Sequence, residues 1–402
     1  MLSGDNGILQ KATDAKTQTG IGQEKEIVAL AYNSALVKKV SNGDSTAVTA
    51  TDLNSELTNQ GASADGDNPI TVTFTESQNT YTIDSNGNIE KNIPPEPMVA
   101  GKTVKESKGN KIASNNMELV DDYGNKITIP KGFKIASDSA DNVTGGIVIE
   151  DVNAGTSETV GSQFVWIPVG DIYTDTNNSI TNIELCRCGF NQNGEKVSVQ
   201  DGWEYQCSLM KNNMPSGMPD VAKNSTVNIY KGYTFSEEET SRVSSSPIQN
   251  STAKNLTDFL SKASKGYYIG RFEARTTEQR ITSGDATTIL TENSRDFVYN
   301  FVTQSQASER SRNMYTSSSF ESDLMNSYAW DTAILFLQAF DDRANTSTKY
   351  SLQASLNNSI SATGTTVDVI CNIYDMASNC NEWTTETSSA SNNPCVIRSR
   401  RI

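Results

Sequence analysis

Three prolines fall within four residues at Pro94, Pro95 and Pro97, inside the stretch KNIPPEPMVAGKTVKESKGNK. Proline donates no backbone hydrogen bond and locks φ, so neither a helix nor a central strand can run through this point. The chain on each side must build its own core. Residues 1–92 and 117–402 are therefore expected as separate domains, with 93–116 as a linker rich in Pro, Gly and Lys. The two sides differ in character. All four Trp and all six Cys lie after Met117.

The first side reads as a helix followed by a small sheet. In GQEKEIVALAYNSALVKK, Ile27, Leu30, Ala31, Ser34 and Val37 recur at helical spacing, with Glu early and Lys late, as the helix dipole favours. SNGDS stops the helix. TATDLNSELTNQ is expected as a second short helix capped by Thr51. ITVTFTES and TYTIDSNGNIE alternate as strands, and DSNGN is a hairpin turn. On the second side, NKITIP, GGIVIED, SQFVWIPV and GYYIGRFEA read as strands and NSYAWDTAILFLQAF as a helix. Long polar insertions at 170–185 and 210–255 separate them. The fold class is α+β.

Charge and residue counts exclude several functions. Thirty-three Lys and Arg against 48 Asp and Glu give a net charge of −15, which disfavours nucleic acid as a partner. The chain contains no His, so Ser-His-Asp and Cys-His catalysis and imidazole zinc sites are absent. Cys186, Cys188, Cys207, Cys371, Cys380 and Cys395 form no C-x-x-C pair. They can form local disulfides or remain buried thiols; the spacing allows both. No segment is apolar and long enough to span a bilayer.

Two regions resemble known families. LSGDNGILQKATDAKTQTGIGQEKEIVALAYNSAL and YTIDSNGNI are similar to bacterial type IV pilin-like proteins, as if the membrane-spanning first half-helix were missing. That resemblance implies a helix packed on a small sheet, pilin-like subunits as partners, and a membrane link only through the missing segment. SQFVWIPVG, GYYIGRFEA, SYAWDTAILFLQ and NIYDMASNCNEWT occur in the order found in the formylglycine-generating-enzyme branch of the C-type lectin fold. NIYDMASNCNEWT resembles that family's YDM-x-GN-x-x-EWT element, with Ser378 in place of the usual Gly. The resemblance implies an irregular lectin-like domain over 117–402, lacking or altered at its C-terminal end.

The same resemblance frames the candidate sites. In some relatives this loop binds calcium, which implies Asn379 and Glu382 as ligands here; the alternative is a carboxylate that holds the loop amides without metal. Asp375 reads as a turn-forming residue. Trp166, Trp330 and Trp383 read as core, while Trp203 lies among polar loops and is a candidate contact residue. Family oxidases carry a copper-binding Cys pair after the EWT loop. The matching segment here is CVIRSRRI, with no such pair, so an enzyme is not expected. Variable proteins of diversity-generating retroelements share this fold branch. In them, adenine changes turn Asn codons into Ile, Ser or Arg on the binding face, and Ile397, Ser399, Arg400, Arg401 and Ile402 are of these types. With Arg398 they are the candidate ligand surface, the alternative being an ordinary strand with a basic end. The expected protein is a bacterial, extracellular, surface-displayed binder of a protein or glycan ligand. A structural pilus or pseudopilus subunit and a cryptic formylglycine-type oxidase are the alternatives.

Overall fold

The first unit is organised around one long helix, α1 (Asp5–Ser41). Lys38 and Lys39 stand in its last turn, where they complement the helix dipole. It ends at Asn42-Gly43, where Gly43 takes a φ of 72° and its amide returns to the Val40 carbonyl. The short helix α2 (Ala50–Leu57) follows. Its cap is Thr49, not Thr51: the Thr49 hydroxyl accepts from the Asp52 amide while the Asp52 carboxylate accepts from the Thr49 amide. The acid three residues on selects between the two threonines. Strands β1 (Ala62–Asp65), β2 (Ile70–Phe74), β3 (Thr80–Ile83) and β4 (Ile89–Asn92) then pair as an antiparallel meander in sequence order. The expected DSNGN turn joins β3 to β4, with the Asp84 carboxylate accepting from the Asn86 and Asn88 amides at 2.8 and 2.9 Å.

Alternation buries Ile70, Val72 and Phe74 of β2 and Tyr81 and Ile83 of β3 on one face. Against them pack Val28, Ala31 and Ala35 of α1 and Leu53 and Leu57 of α2. The helix face differs from the one expected. Ala31 is buried and Ile27 packs against the core, but Leu30 and Val37 are 62% and 66% exposed. The rotation brings small side chains against the sheet and sets Tyr32 over the hairpin turn at Gly87.

This computed structural model describes residues 5–92, 95–190, 196–198, 203–205, 229–231, 235–236, 252–276, 297–299, 302, 304–317, 320–341, 362–365, 368–376, 379–380, 382–388 and 395–398. The chain divides into two units between Pro95 and Glu96. Residues 96–116, expected as a linker, are part of the second unit. There β5 (Glu96–Pro97) pairs in parallel with β6 (Lys111–Ile112). Met98, Val104 and Ala113 are buried, and the Val104 amide donates to Val120 O. These three apolar residues dock the segment despite its Pro and Gly content.

Next in the chain come the hairpin β7 (Met117–Val120) and β8 (Lys126–Ile129), then β9 (Phe133–Ile135), β10 (Val148–Asp151) and β11 (Gln163–Pro168). The expected insertion at 170–185 is a second hairpin, β12 (Gly170–Tyr173) and β13 (Ile180–Ile183). Two short pairs follow: β14 (Cys188–Phe190) with β15 (Lys196–Ser198), and β16 (Trp203–Tyr205) with β17 (Ile229–Lys231). Then come β18 (Phe235–Ser236), α3 (Thr252–Lys262), β19 (Gly266–Gly270), and the pair β20 (Arg275–Thr276) and β21 (Phe297–Val298). Helices α4 (Gln304–Met314) and α5 (Ser327–Phe340) precede the hairpin β22 (Val369–Ile370) and β23 (Ile373–Tyr374). The described chain closes with β24 (Glu382–Ser388) and β25 (Cys395–Arg398).

The main sheet has the order β19-β11-β10-β9, and a smaller sheet has the order β18-β24-β25. Asn326 caps α5 by accepting from the Ala329 amide at 2.9 Å. That helix contributes Trp330, Ala333, Ile334, Phe336 and Leu337 to a core shared with Val165, Trp166 and Ile167 of β11. Trp166 and Trp330 are buried, as expected. Among the described residues no helix is long and apolar enough to cross a membrane.

Candidate functional site

The loop between β22 and β24 is built from backbone conformations that most residues avoid. Cys371, Asn372, Asp375 and Asn379 all have positive φ, between 47° and 63°. Cys371 and Asn372 form the two-residue turn of the β22–β23 hairpin, which needs positive φ at both positions. The turn is locked from outside. The Asn372 side-chain amide donates to Gly146 O at 2.7 Å, and the Cys371 thiol to Thr144 O at 3.2 Å. A Cβ on Gly146 would lie 1.8 Å from Cys371 O, so this contact requires glycine.

Arg271, just after β19, fastens the same hairpin. Its guanidinium donates to Gln163 Oε1 at 2.7 Å, to Asn372 Oδ1 at 3.3 Å and to both oxygens of Asp138. It also lies over the rings of Phe272 and Tyr374, at 5.3 and 5.8 Å from their centroids. Arg271 is 5% exposed, and its charge holds the Asp138 carboxyl below the usual range.

Two residues further on, Glu273 reaches into the loop. Its carboxyl group accepts from the Cys380 amide at 2.8 Å and from the Asn379 side-chain amide. Burial, reinforced by Asp375 and Asp368, pushes its pKa up to about 8. Glu382, at the start of β24, has a buried Oε2 with no hydrogen-bond partner among the described residues. Burial and the neighbouring Glu273 push its pKa well above the carboxylate range. Asp375 is fully buried and Asp368 3% exposed. The same surroundings hold Cys380 as a thiol, a poor nucleophile.

The two expected calcium ligands, Asn379 and Glu382, thus flank one buried carboxyl group. The Asn379 amide donates to Glu273, and the loop amide of Cys380 is held by Glu273 rather than by Glu382. Among the described residues no three acids or thiols are arranged to hold a metal ion. Asp375 has the left-handed backbone of a turn residue and is also a member of the acidic cluster.

The other expected site residues are spread over separate elements. Trp203 stands in β16, opposite Lys231. Ile397 and Arg398 stand in β25, opposite Trp383 and Glu382 of β24. Ser399, Arg400, Arg401 and Ile402 lie outside the described residues. Trp383, expected in the core, is only half-buried; its indole N–H donates to Val302 O at 2.8 Å. Arg271 and Glu273 were missed in the sequence. The available signal was GYYIGRFEA itself, where two charges follow an apolar strand run. No protein-family model, curated protein or solved structure matches this chain.

Proposed function

We propose that this chain is a surface-displayed binding protein, anchored or polymerised through its N-terminal helix, whose second unit carries the ligand surface. The observation that supports this most is the apolar stripe on α1 facing away from its own sheet. Leu30, Val37 and Val40 are 62%, 66% and 66% exposed, and Leu36 beside them is 39% exposed. The spacing of seven and three residues puts Leu30, Val37 and Val40 along one line of the helix. Exposed apolar side chains repeated along one side of a helix suit a protein contact. The ligand surface in this reading is the C-terminal segment from Ile397 to Arg401. Its Arg residues make it locally basic in a chain of net charge −15, which suits an acidic protein or glycan partner.

Two measurements test the reading. Sedimentation velocity should show self-association or detergent-dependent association of the parent, lost in the triple variant Leu30→Ser, Val37→Ser, Val40→Ser at an unchanged melting temperature. Binding to bacterial or host surface extracts should be lost when Arg398, Arg400 and Arg401 become Ser. Association lost with binding retained at that triple Arg variant would favour a purely structural pilus subunit. Copper-dependent oxidation of Cys-containing peptides would replace the binding reading with the oxidase.

A further inference from the structure

The two outer edges of the β12–β13 hairpin differ. The Thr174 amide donates to Ser179 O at 2.9 Å. Bonded pairs in an antiparallel ladder recur every second residue, so Ile172 with Thr181 and Gly170 with Ile183 bond across the hairpin. Asp171 and Tyr173 on β12, and Ile180 and Asn182 on β13, therefore turn their backbone groups outward. On β12 that edge is closed at Tyr173. Asn125 Oδ1 accepts from the Tyr173 amide and Asn125 Nδ2 donates to Tyr173 O, both at 2.8 Å, so one side chain imitates a neighbouring strand.

On β13 the edge is open. Among the described residues nothing bonds to the backbone N–H or C=O of Ile180 or Asn182. Folded proteins usually blunt such an edge with Lys, Pro or a bulge, and Ile180–Ile183 contains none of these. The hairpin is held firmly from behind, because Ile172 and Ile183 are buried in the core at 4% and 2% exposure. Its outer face presents Ile180, 58% exposed, directly across from Tyr173. From Val169 to Glu184 the chain carries Asp171, Asp175 and Glu184 and no Lys or Arg.

We propose that the open edge of β13 is a docking site for an extended cationic peptide segment, which adds as a third strand beside Ile180–Ile183. Ile180 and Asn182 offer it two donors and two acceptors. The pair Tyr173 and Ile180 covers its apolar side chains, and the surrounding acids attract its Lys or Arg. A second copy of this chain is a poorer occupant, since it would bring one acidic hairpin against another. β13 and β25 belong to different sheets, so this docking does not rest on a ligand surface at the C-terminal strand.

Hydrogen exchange in the full chain gives the first test: the Ile180 and Asn182 amides should exchange fast and the Tyr173 amide slowly. A fluorescent peptide of alternating Lys and Val, about eight residues long, should then protect both β13 amides and bind with an affinity that falls as salt rises. Asn182→Pro removes one outward N–H while keeping the backbone bonds to β12, though it also loses the Asn182 side-chain bond to Asp171, and should weaken binding at least roughly tenfold. Ile180→Lys repels the peptide by charge and should weaken it as well, which keeps the test open if the proline variant misfolds. The same peptide with Glu for Lys should not bind. Slow exchange of Ile180 and Asn182 in the free protein would overturn the proposal, as would equal peptide binding by parent and both variants. Protection that appears with protein concentration alone would assign the edge to a second copy and overturn it too.

Discussion

Glu273 is a carboxyl group placed where a carboxylate is disfavoured. Its surroundings supply two hydrogen-bond donors but also Asp375 and Asp368, and burial outweighs the donors. The folded-state pKa of about 8 lies above the ordinary 4.5, so the fold binds a proton that the unfolded chain releases. That contribution is complete below the ordinary value and is lost as pH rises through about 8. Stability should therefore fall across this window, by up to about 1.4 kcal/mol per pH unit for one proton. Glu273→Gln keeps an acceptor for the Cys380 amide and should flatten the decline. Melting curves between about pH 5 and 8.5 decide this; a parent that melts at the same temperature throughout would sink the assignment. Calcium should leave the melting temperature unchanged, because among the described residues no three acids or thiols are arranged to hold a metal ion. A calcium-dependent rise that disappears in Glu382→Gln would restore the metal reading. At this scale the sequence showed the loop but not its partner. Asn379, Cys380 and Glu382 are adjacent in the chain, whereas Glu273 lies more than a hundred residues earlier, and burial is what gives it meaning.

Elements were easier to read where one pattern dominated. β2 and β3 alternate cleanly, and β10, β11, β19 and α5 were each marked by an apolar run with caps or turns. The face of α1 was harder, because the helix is apolar on two sides. Ile27, Leu30, Ser34 and Val37 make one row and Val28, Ala31 and Ala35 another, and periodicity cannot rank them. The sheet ranks them by size: Ala31 and Ala35 allow close approach, and Ala35 is 2% exposed. Ala35→Leu should overpack this contact and destabilise the first unit by about 1–3 kcal/mol. Leu30→Ser, on the exposed row, should change it by less than about 0.5 kcal/mol. Denaturant midpoints compare them, and the reverse order would restore the face expected from the sequence. Asparagine side chains that imitate strands were also invisible to pattern. Asn54 of α2 exchanges two bonds with Ala64 of β1, at 2.7 and 2.8 Å, closing that edge as Asn125 closes β12. Asn54→Ala should cost roughly 1–2 kcal/mol, since both backbone groups of Ala64 lose their partner.

At the scale of the molecule, each unit has a core of its own. The first holds Val28, Leu53, Leu57, Val72, Phe74 and Tyr81 in one cluster, and the second a larger cluster around Trp166, Ile334 and Phe336. The proline cluster marks the boundary, yet the boundary is narrower than composition suggested. A stretch rich in Pro, Gly and Lys looks like a spacer, but Met98, Val104 and Ala113 are buried within it and its backbone pairs with β7 and β9. Limited proteolysis should therefore spare Lys102, Lys105, Lys108 and Lys111, because cleavage requires backbone free of such pairing. A fragment of residues 1–95 should fold alone, with helical circular dichroism and a cooperative thermal transition matching one in the full chain. A unit that owes nothing to its neighbour melts at the same temperature with or without it. If the fragment melts well below that transition, or without cooperativity, the first unit depends on residues beyond Pro95 and the division into independent folding units fails.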